Sequence, residues 1–589
     1  MNSQSRCAIR RNSQARDSNL KSQLHCSSTG VRLASIAVLV GCTANAQVKD
    51  SRTTAPTPAK FVDVTSSLGV QFQHAALHTS KKYLLETMGS GVALFDYDND
   101  GRLDLFVVNG AEINDPSPPG FMPQKAGPKY WNRLYHQKSN GSFEDVTEKA
   151  GLRGAGYGMG VAVGDYDNDG FEDLFVSGYG GNHLYHNNGN GTFTDVTEKA
   201  GVGGGGWSTS AAWVDLDGDG LLDLIVLRYL QWDFTDIWCG EKKQGYRSFC
   251  HPDEFQPIAP LVYHNDGKGH FTEITQQAGF AKPGKELEIT IADFNGDGHI
   301  DIFIANDSIP AFLYQNKGDG TFEEVGLFAG VGVDGDGHAY AGMGTDSADY
   351  DNDGLPDIAV TDLAYQKYAL YRNNGDGTFA YTSDTSSLGS ITSLHSGWGM
   401  RFIDYDNDGW KDLLVAQAHV MDTIELTYPQ LHYREPVLLA RNTGKNFVEI
   451  SKQSGPVFQE HWVSRGLAIG DIDSDGRLDA VVTENGGPIH ILRNETDTQN
   501  HWLTLNLVGH QSNRDAIGAV VKIVTAQGEQ YATVSTSASY LSSSDKRVHF
   551  GLGSQVSIKG VEIRWPSGIR QILRDVKPDQ VLPVDEPAK

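Results

Sequence analysis

One nine-residue pattern, D-x-D-x-D-G-x-x-D followed by an apolar triplet, occurs seven times in this chain, the fourth copy with Asn295 in place of its second Asp, and governs what the chain can fold into. The copies begin at Asp96, Asp165, Asp215, Asp293, Asp349, Asp404 and Asp471, at intervals of 50 to 78 residues. A unit repeated at that spacing buries its apolar face against its neighbours, so a repeat architecture is expected. A second element keeps step with the first: a Gly/Asn turn, an aromatic residue and a short alternating strand, as in NGSFEDVT ending at Thr147 and NGTFTDVT ending at Thr197. Six copies of it follow an Asp loop. The seventh, FVDVT from Phe61 to Thr65, precedes the first loop.

Each unit reads as four strands: a Gly-rich strand into the Asp loop, an apolar strand out of it, an LYHN-type strand and the aromatic strand. Short strands joined by Gly/Asn turns at this period suggest the four-stranded blades of a propeller. Glycine before each loop suits an innermost strand where blades crowd together. The displaced strand at Phe61 then completes the last blade, and pairing the two chain ends leaves no open edge. A solenoid has no need of that phase shift. The expected fold is all-β, a seven-bladed β-propeller over residues 61–495. Residues 496–589 alternate as further strands (WLTLNL, AVVKIV, RVHFGLG, VEIRW) and are read as a small β-sandwich or barrel.

The loops carry the chemistry. Their oxygen donors are Asp96, Asp98, Asp100 and Asp104; Asp165, Asp167, Asp169 and Asp173; Asp215, Asp217, Asp219 and Asp223; Asp293, Asn295, Asp297 and Asp301; Asp349, Asp351, Asp353 and Asp357; Asp404, Asp406, Asp408 and Asp412; and Asp471, Asp473, Asp475 and Asp479. Hard cations such as Ca²⁺ take six to eight oxygens, with a glycine permitting the sharp turn, and position six is Gly in every copy. One loop alone could be an Asx-turn hairpin. Carboxylates crowded within nine residues, seven times over, repel one another without a counter-ion. About seven structural Ca²⁺ ions are therefore expected, each pinning the turn between the inner strands of a blade. Mg²⁺ fits less well, because it holds its waters and demands octahedral geometry. No His or Cys belongs to the loop motif, and a ligand-saturated oxygen cage leaves no open position for catalysis.

Composition agrees. The chain has 589 residues and a formal charge of −26, and the loops hold over a third of its 74 acidic residues. That balance, without any Lys/Arg run, argues against nucleic acid as a partner. Its 67 glycines follow no G-X-Y period, which excludes collagen. Residues 1–46 read as an export signal, Arg-rich and then apolar from Leu33 to Val40, with 47–60 as linker. Two processing readings stand: a lipobox, Leu39-Val40-Gly41-Cys42, with lipidation at Cys42, or cleavage after Ala44-Asn45-Ala46. The membrane enters only through such an anchor, and the cell surface, the outer membrane or periplasm, or the medium is the expected location. Cys239 and Cys250 remain in the mature chain, read as one disulfide, with two free thiols the alternative.

Strand two of each blade ends on the face opposite the Asp loops. Five residues past each final loop Asp stand Asn109, Gly178, Arg228, Asn306, Asp362, Gln417 and Glu484, six of them polar. They are expected to form a recognition ring or to line a hydrated channel. Long inserts on that face bring Trp232, Trp238 and His419, and aromatic residues on stapled loops suit protein or glycan recognition. No nucleophile elbow, P-loop, dinucleotide fingerprint or zinc-protease helix occurs.

The repeats resemble FG-GAP/VCBS blades of integrin alpha-type propellers. Ser512 to Ala519, Ser539-Tyr540-Leu541-Ser542, Val548 to Gly553 and Trp565-Pro566-Ser567-Gly568 resemble the ASPIC/UnbV domain. The combination is similar to the cartilage acidic protein family. The resemblance implies an exported calcium-binding protein acting as a binding or adhesion module for an extracellular protein or glycan. Two rival readings are a secreted carbohydrate-active enzyme, lyase- or dehydratase-like, using Arg228, Asp362, His419 and Glu484, and a purely architectural factor.

Overall fold

Apolar triplets on both sides of each Asp loop pair as an antiparallel hairpin, and two further strands widen it into a blade. The computed structural model describes residues 57–588 apart from residue 556; residues 1–56, with Cys42 and the export segment, lie outside the described residues. In blade two, Tyr157–Gly164 pairs with Asp173–Tyr179 across the loop, His183–Asn187 adds outside it, and Phe193–Asp195 forms the rim. Six blades repeat this order in sequence. Both inner strands of blade two are buried throughout, because neighbouring blades cover both their faces. Phe95, Phe106 and Leu134 of blade one pack with Val161, Val163, Leu174 and Tyr185 of blade two in one such inter-blade core.

Blade seven takes Ser464–Gly470, Asp479–Glu484 and Ile489–Asn494 from one end of the ring and Phe61–Asp63 from the other. Phe61 pairs with Asn494 and Asp63 with Leu492. A polar relay reinforces this closure. His490 Nδ1 lies 2.8 Å from Asp63, its Nε2 lies 3.0 Å from Glu484, and its ring stacks on Trp462 at 3.7 Å. Burial alone would lower the His490 pKa, but the two carboxylate contacts raise it above its ordinary 6.5. Burial would raise the Asp63 carboxyl, yet its bonds to His490 and Thr65 hold it below 3.8. The histidine's contribution is fully present below pH 6.5 and is lost as pH rises through the higher folded value. The aspartate's is present above pH 3.8 and is lost as pH falls through the depressed one. Closure is therefore firmest between about pH 4 and 6.5. The midpoint difference between wild type and His490→Gln should peak in that window and shrink above neutrality. A difference flat from pH 4 to 9 would contradict the relay.

The C-terminal domain is a sandwich. One sheet holds Val548–Gly553, His501–Val508 and Val581–Asp585; the other holds Glu529–Thr533, Val520–Thr525, Ile558–Arg564 and Arg570–Leu573. Leu503, Leu505, Val521, Phe550, Ile563 and Trp565 fill the space between them. The sandwich packs on the Asp-loop face. Arg514 N–H donates to Asn168 at 2.7 Å, Asp165 N–H to Asp515 at 2.7 Å, and His549 bridges Thr504 and Asn407. Asn513-Arg514-Asp515 is thus a clamp on a loop of blade two, and His549 is a packed histidine.

The central channel is filled. Residues 535–545, between two strands of the sandwich, enter it and pair with the inner strands. Ser539 exchanges both backbone hydrogen bonds with Thr345, at 2.7 and 2.9 Å. Val161 N–H donates to the Leu541 carbonyl at 3.1 Å, and Leu541 N–H donates to the buried Glu288 carboxylate at 2.6 Å. Tyr540 and Leu541 are wholly buried among Met88, Met159, Leu287, Met343 and Trp398. Each fully buried side chain of this size stabilises by about 2 kcal/mol. Here the hydrated channel expected above gives way to an apolar core. Several inner-strand glycines also acquire a second reason. A Cβ on Gly91 would lie 1.8 Å from the Leu541 oxygen, and one on Gly344 would lie 2.4 Å from that of Ser539.

Among the described residues no helix is long and apolar enough to cross a membrane.

Candidate metal centres and recognition face

The Asp loops hold themselves open from within. In blade two the Asp165 carboxylate accepts from the N–H groups of Asp169 at 3.0 Å and Gly170 at 2.7 Å, and Asp169 accepts from Phe171 at 2.9 Å. Asp173 accepts from Tyr166 at 3.3 Å and from Asn187, on strand three, at 2.7 Å. Asn168 at position four has φ 58°, in the left-handed region that Asn tolerates. Each carboxylate thus spends part of its capacity on the backbone and turns the rest inward.

Several inward oxygens have no partner. Asp98, Asp293, Asp351 and Asp406 each carry a buried Oδ1 without a hydrogen bond, and Asp406 is 1% exposed. In blade one, one ligand atom each from Asp96, Asp98 and Asp104 lies within 4.8 Å of the others. Burial pushes Asp104 up to about 8 and Asp357 up to about 9, with the neighbouring loop carboxylates adding to the rise. Orphaned oxygens gathered around a Gly turn, with backbone carbonyls beside them, fit a hard divalent cation.

The seven loops differ at one position of strand three, which faces the carboxylates. Blades one to three place a histidine there. Nδ1 of His136 is 3.2 Å from Asp104, that of His186 is 3.2 Å from Asp173, and that of His264 is 3.1 Å from Asp223. Blade four has Gln315, and blades five to seven have Arg372, Arg441 and Arg493. Arg372 Nε lies 2.6 Å from Asp351 and Arg441 Nη2 lies 2.9 Å from Asp408, whereas Arg493 pairs with Glu495. Blades five and six therefore carry a strand-three cation against their loop acids, while Arg102 pairs with Asp100 in loop one, Arg477 with Asp475 in loop seven and Arg564 of the sandwich with Asp293 in loop four.

Sequence reasoning missed the stitching between loops. The residue after the His/Gln/Arg position donates its side-chain amide to the second loop residue of the preceding blade. Asn187 reaches the Tyr97 carbonyl, Asn265 that of Tyr166 and Asn494 that of Tyr405, all at 2.8 Å. Gln137 reaches Ile472 at 2.8 Å and closes the circle. The signal stood in the sequence as the N of LYHN, recurring in register with six of the loops and replaced by Gln137 in blade one.

On the opposite face the ring expected from sequence is spent on structure. Asn109 donates to three carbonyls and accepts from Ala75 N–H, and Asn306 bridges Lys285 N–H and the Pro310 carbonyl. Asp362 accepts from Ala341 and Leu363, and Gln417 donates to Tyr368. Arg228 donates to the Ala259 carbonyl, and Glu484 belongs to the closure relay. His419 Nδ1 accepts from Met421 N–H, and burial pushes its pKa down to about 4. Among the described residues no hydrogen bond joins any two of Arg228, Asp362, His419 and Glu484. Trp232 packs edge-on against Tyr83, Tyr179 and Trp207. Trp238, beside the Cys239–Cys250 disulfide, is 46% exposed with Arg247 stacked on it at 5.1 Å. Tyr365 and Tyr428, on inserts of blades five and six, are also exposed and meet edge to face.

Comparison with known proteins agrees with this architecture. The profile of the FG-GAP-like repeat matches residues 96–176, 165–226, 259–304, 293–360 and 349–415, and that of ASPIC and UnbV matches 509–589. Human Cartilage acidic protein 1 is 24% identical over 317 residues, covering 52% of this chain and 44% of that protein. Its Xenopus tropicalis counterpart is 26% identical over 281 residues, covering 46% and 40%. The matches span less than half the length of these relatives. A solved structure described as YCF48 bound to D1 peptide overlaps with a TM-score of 0.38 at 8% identity, over 74% of this chain and 97% of that one, too loosely to bear on function. Blade seven lies beyond the repeat matches and is supplied by the pairing of Phe61–Asp63. With its loops, blades and C-terminal sandwich accounted for, the chain is an FG-GAP-like repeat propeller joined to an ASPIC and UnbV domain, a combination similar to Cartilage acidic protein 1.

Proposed function

We propose that the chain is an exported, calcium-stabilised binding module that engages an extracellular protein or glycan through the propeller face opposite the Asp loops. The observation that carries this reading is the division of labour between the two faces. The sandwich covers the Asp-loop side and its inserted segment fills the channel, which leaves the opposite side as the broad free surface. That side bears the disulfide-stapled insert with Trp238, and Tyr365 and Tyr428 stand exposed on other inserts. Rigid aromatic side chains of this kind dominate binding energetics. The disulfide supports an oxidising compartment.

Calcium belongs to the same reading. The orphaned oxygens of Asp98, Asp293, Asp351 and Asp406 support it. The ions would neutralise the loops and fix the stitched ring on which the inserts stand; no step of recognition passes through them.

The test is a glycan array and a cell-surface protein array probed with wild type, Trp238→Ala and Tyr365→Ala/Tyr428→Ala, all in calcium. A specific ligand should emerge, and at least one variant should bind it tenfold or more weakly, as hot-spot truncation does. Undiminished binding by both variants would place recognition elsewhere.

A further inference from the structure

Between the Asp-loop face and the sandwich lies a cavity of about 270 Å³. It is framed by the inner strands of blades five and six on one side and by Tyr531, Thr533 and Val548 of the sandwich on the other. Phe402 and Ser347 contribute to its wall. It is remote from the face assigned above to recognition.

Five carboxylates, Asp293, Asp346, Asp349, Asp404 and Asp545, and five Lys/Arg line it, but they are unevenly paired: Asp349 and Asp404 accept from the Gly354 and Gly409 N–H groups of their own loops. Three of its cations are committed. Arg547 Nε is 2.7 Å from Asp545, Arg564 Nη2 is 2.6 Å from Asp293, and Lys546 is held by Asp515 and Glu172. Two are not. Arg401 has only a long contact, 3.4 Å from Nη1 to Asp346, and its buried Nε has no partner. Both oxygens of Asp346 already accept from backbone, Ser347 N–H at 2.9 Å and Phe402 N–H at 2.8 Å. The Lys411 ammonium makes one hydrogen bond, 3.3 Å to the His549 carbonyl, with the Phe550 ring 5.8 Å below. A buried guanidinium N–H left unmet costs free energy, and a planar oxyanion satisfies it with charge assistance. An ammonium beside it adds a point charge to the same ligand.

We propose that this cavity binds a small organic oxyanion, whose carboxylate or sulfate is held by Arg401 and Lys411. Its body is about the size of one sugar, because drug-sized ligands need pockets of roughly 300 to 1,000 Å³. The rings of Phe402 and Tyr531 and the hydroxyl of Thr533, beside a Ser347 hydroxyl shared with Thr290 at 2.8 Å, suit a hydroxylated body with one apolar face. Since the walls come from both domains, an occupant would tie sandwich to propeller.

Isothermal titration and thermal melting of the full chain, in saturating calcium so that the Asp loops stay loaded, test the proposal. The probes are glucuronate, sulfate and glucose. Glucuronate should bind saturably and raise the midpoint, sulfate should compete with it, and glucose should do neither. Arg401→Met and Lys411→Met should each weaken glucuronate at least tenfold. Should Arg401→Met fail to fold, Lys411→Met and the cavity-filling Thr533→Trp, which retains both cations, decide. The proposal is overturned if neither anion binds saturably, if glucose matches glucuronate, or if folded variants bind as wild type does.

Discussion

Stripping divalent cations from the folded chain should lower its unfolding midpoint by roughly 15–20 °C. A ligand at a hundred times its Kd contributes about 2.7 kcal/mol per site, so seven independent sites reach about 19 kcal/mol. A kcal/mol moves the midpoint of a chain this long by about 1 °C, somewhat less than the shift seen in smaller domains. Without cations the loops confront their own repulsion, and buried carboxylates such as Asp104 and Asp357 hold protons near neutrality. Calorimetry with chelator, then repletion with Ca²⁺ or Mg²⁺, checks this. The midpoint should recover fully with Ca²⁺ and only in part with Mg²⁺. An unmoved midpoint would sink the calcium reading. The strand-three residues add a finer expectation: Arg372 and Arg441 already oppose their loop acids, so blades five and six should load after blades two and three, where a histidine stands at that position. Replacing Arg441 with Met should tighten one site and leave the total stoichiometry unchanged.

The second large effect concerns the segment in the channel. Gly91→Val should expel it, because the new Cβ would meet the backbone oxygen of Leu541 and neither inner strand nor segment can retreat. Overpacking of a core commonly costs about 1–3 kcal/mol. Losing the burial of Tyr540 and Leu541 adds about 4 kcal/mol. The readouts are proteolytic cleavage within residues 535–545 and a changed fluorescence of Trp398, whose ring lies 5.0 Å from Tyr540. Gly127→Val offers the control, since nothing lies within 4 Å of a Cβ there. Equal protease resistance of the two variants would refute the account.

The elements legible in the sequence were those with a local rule behind them. Each Asp loop declares itself through its own spacing, and the early strand at Phe61 announced ring closure because it was the copy out of phase. The Cys239–Cys250 pair followed from counting. What escaped was contact between distant segments. Ser539-Tyr540-Leu541-Ser542 carried the resemblance to a domain family, but nothing in SASYLSSSD names Thr345, Val92 or Glu288 as partners. The glycines that receive it were explained by blade crowding. That holds for Gly399, whose Cβ would lie 2.7 Å from the Arg465 oxygen in the next blade, but is incomplete for Gly91. Polar residues such as Asn109 and Asn306 looked available because sequence records that a side chain can donate, and not which carbonyl has already taken it.

The pairing of Phe61–Asp63 with Ile489–Asn494 also sets an order of events. The first described strand to leave the ribosome is among the last to find its place, since its partner is made more than four hundred residues later. Until then blade seven lacks its rim, and the contacts that finish it close a loop of more than four hundred residues, the kind of pairing that folds slowly. The channel segment arrives later still. Assembly is therefore expected to run from an open arc to a ring and then to a ring with its centre filled, a final step that waits for residues 535–545.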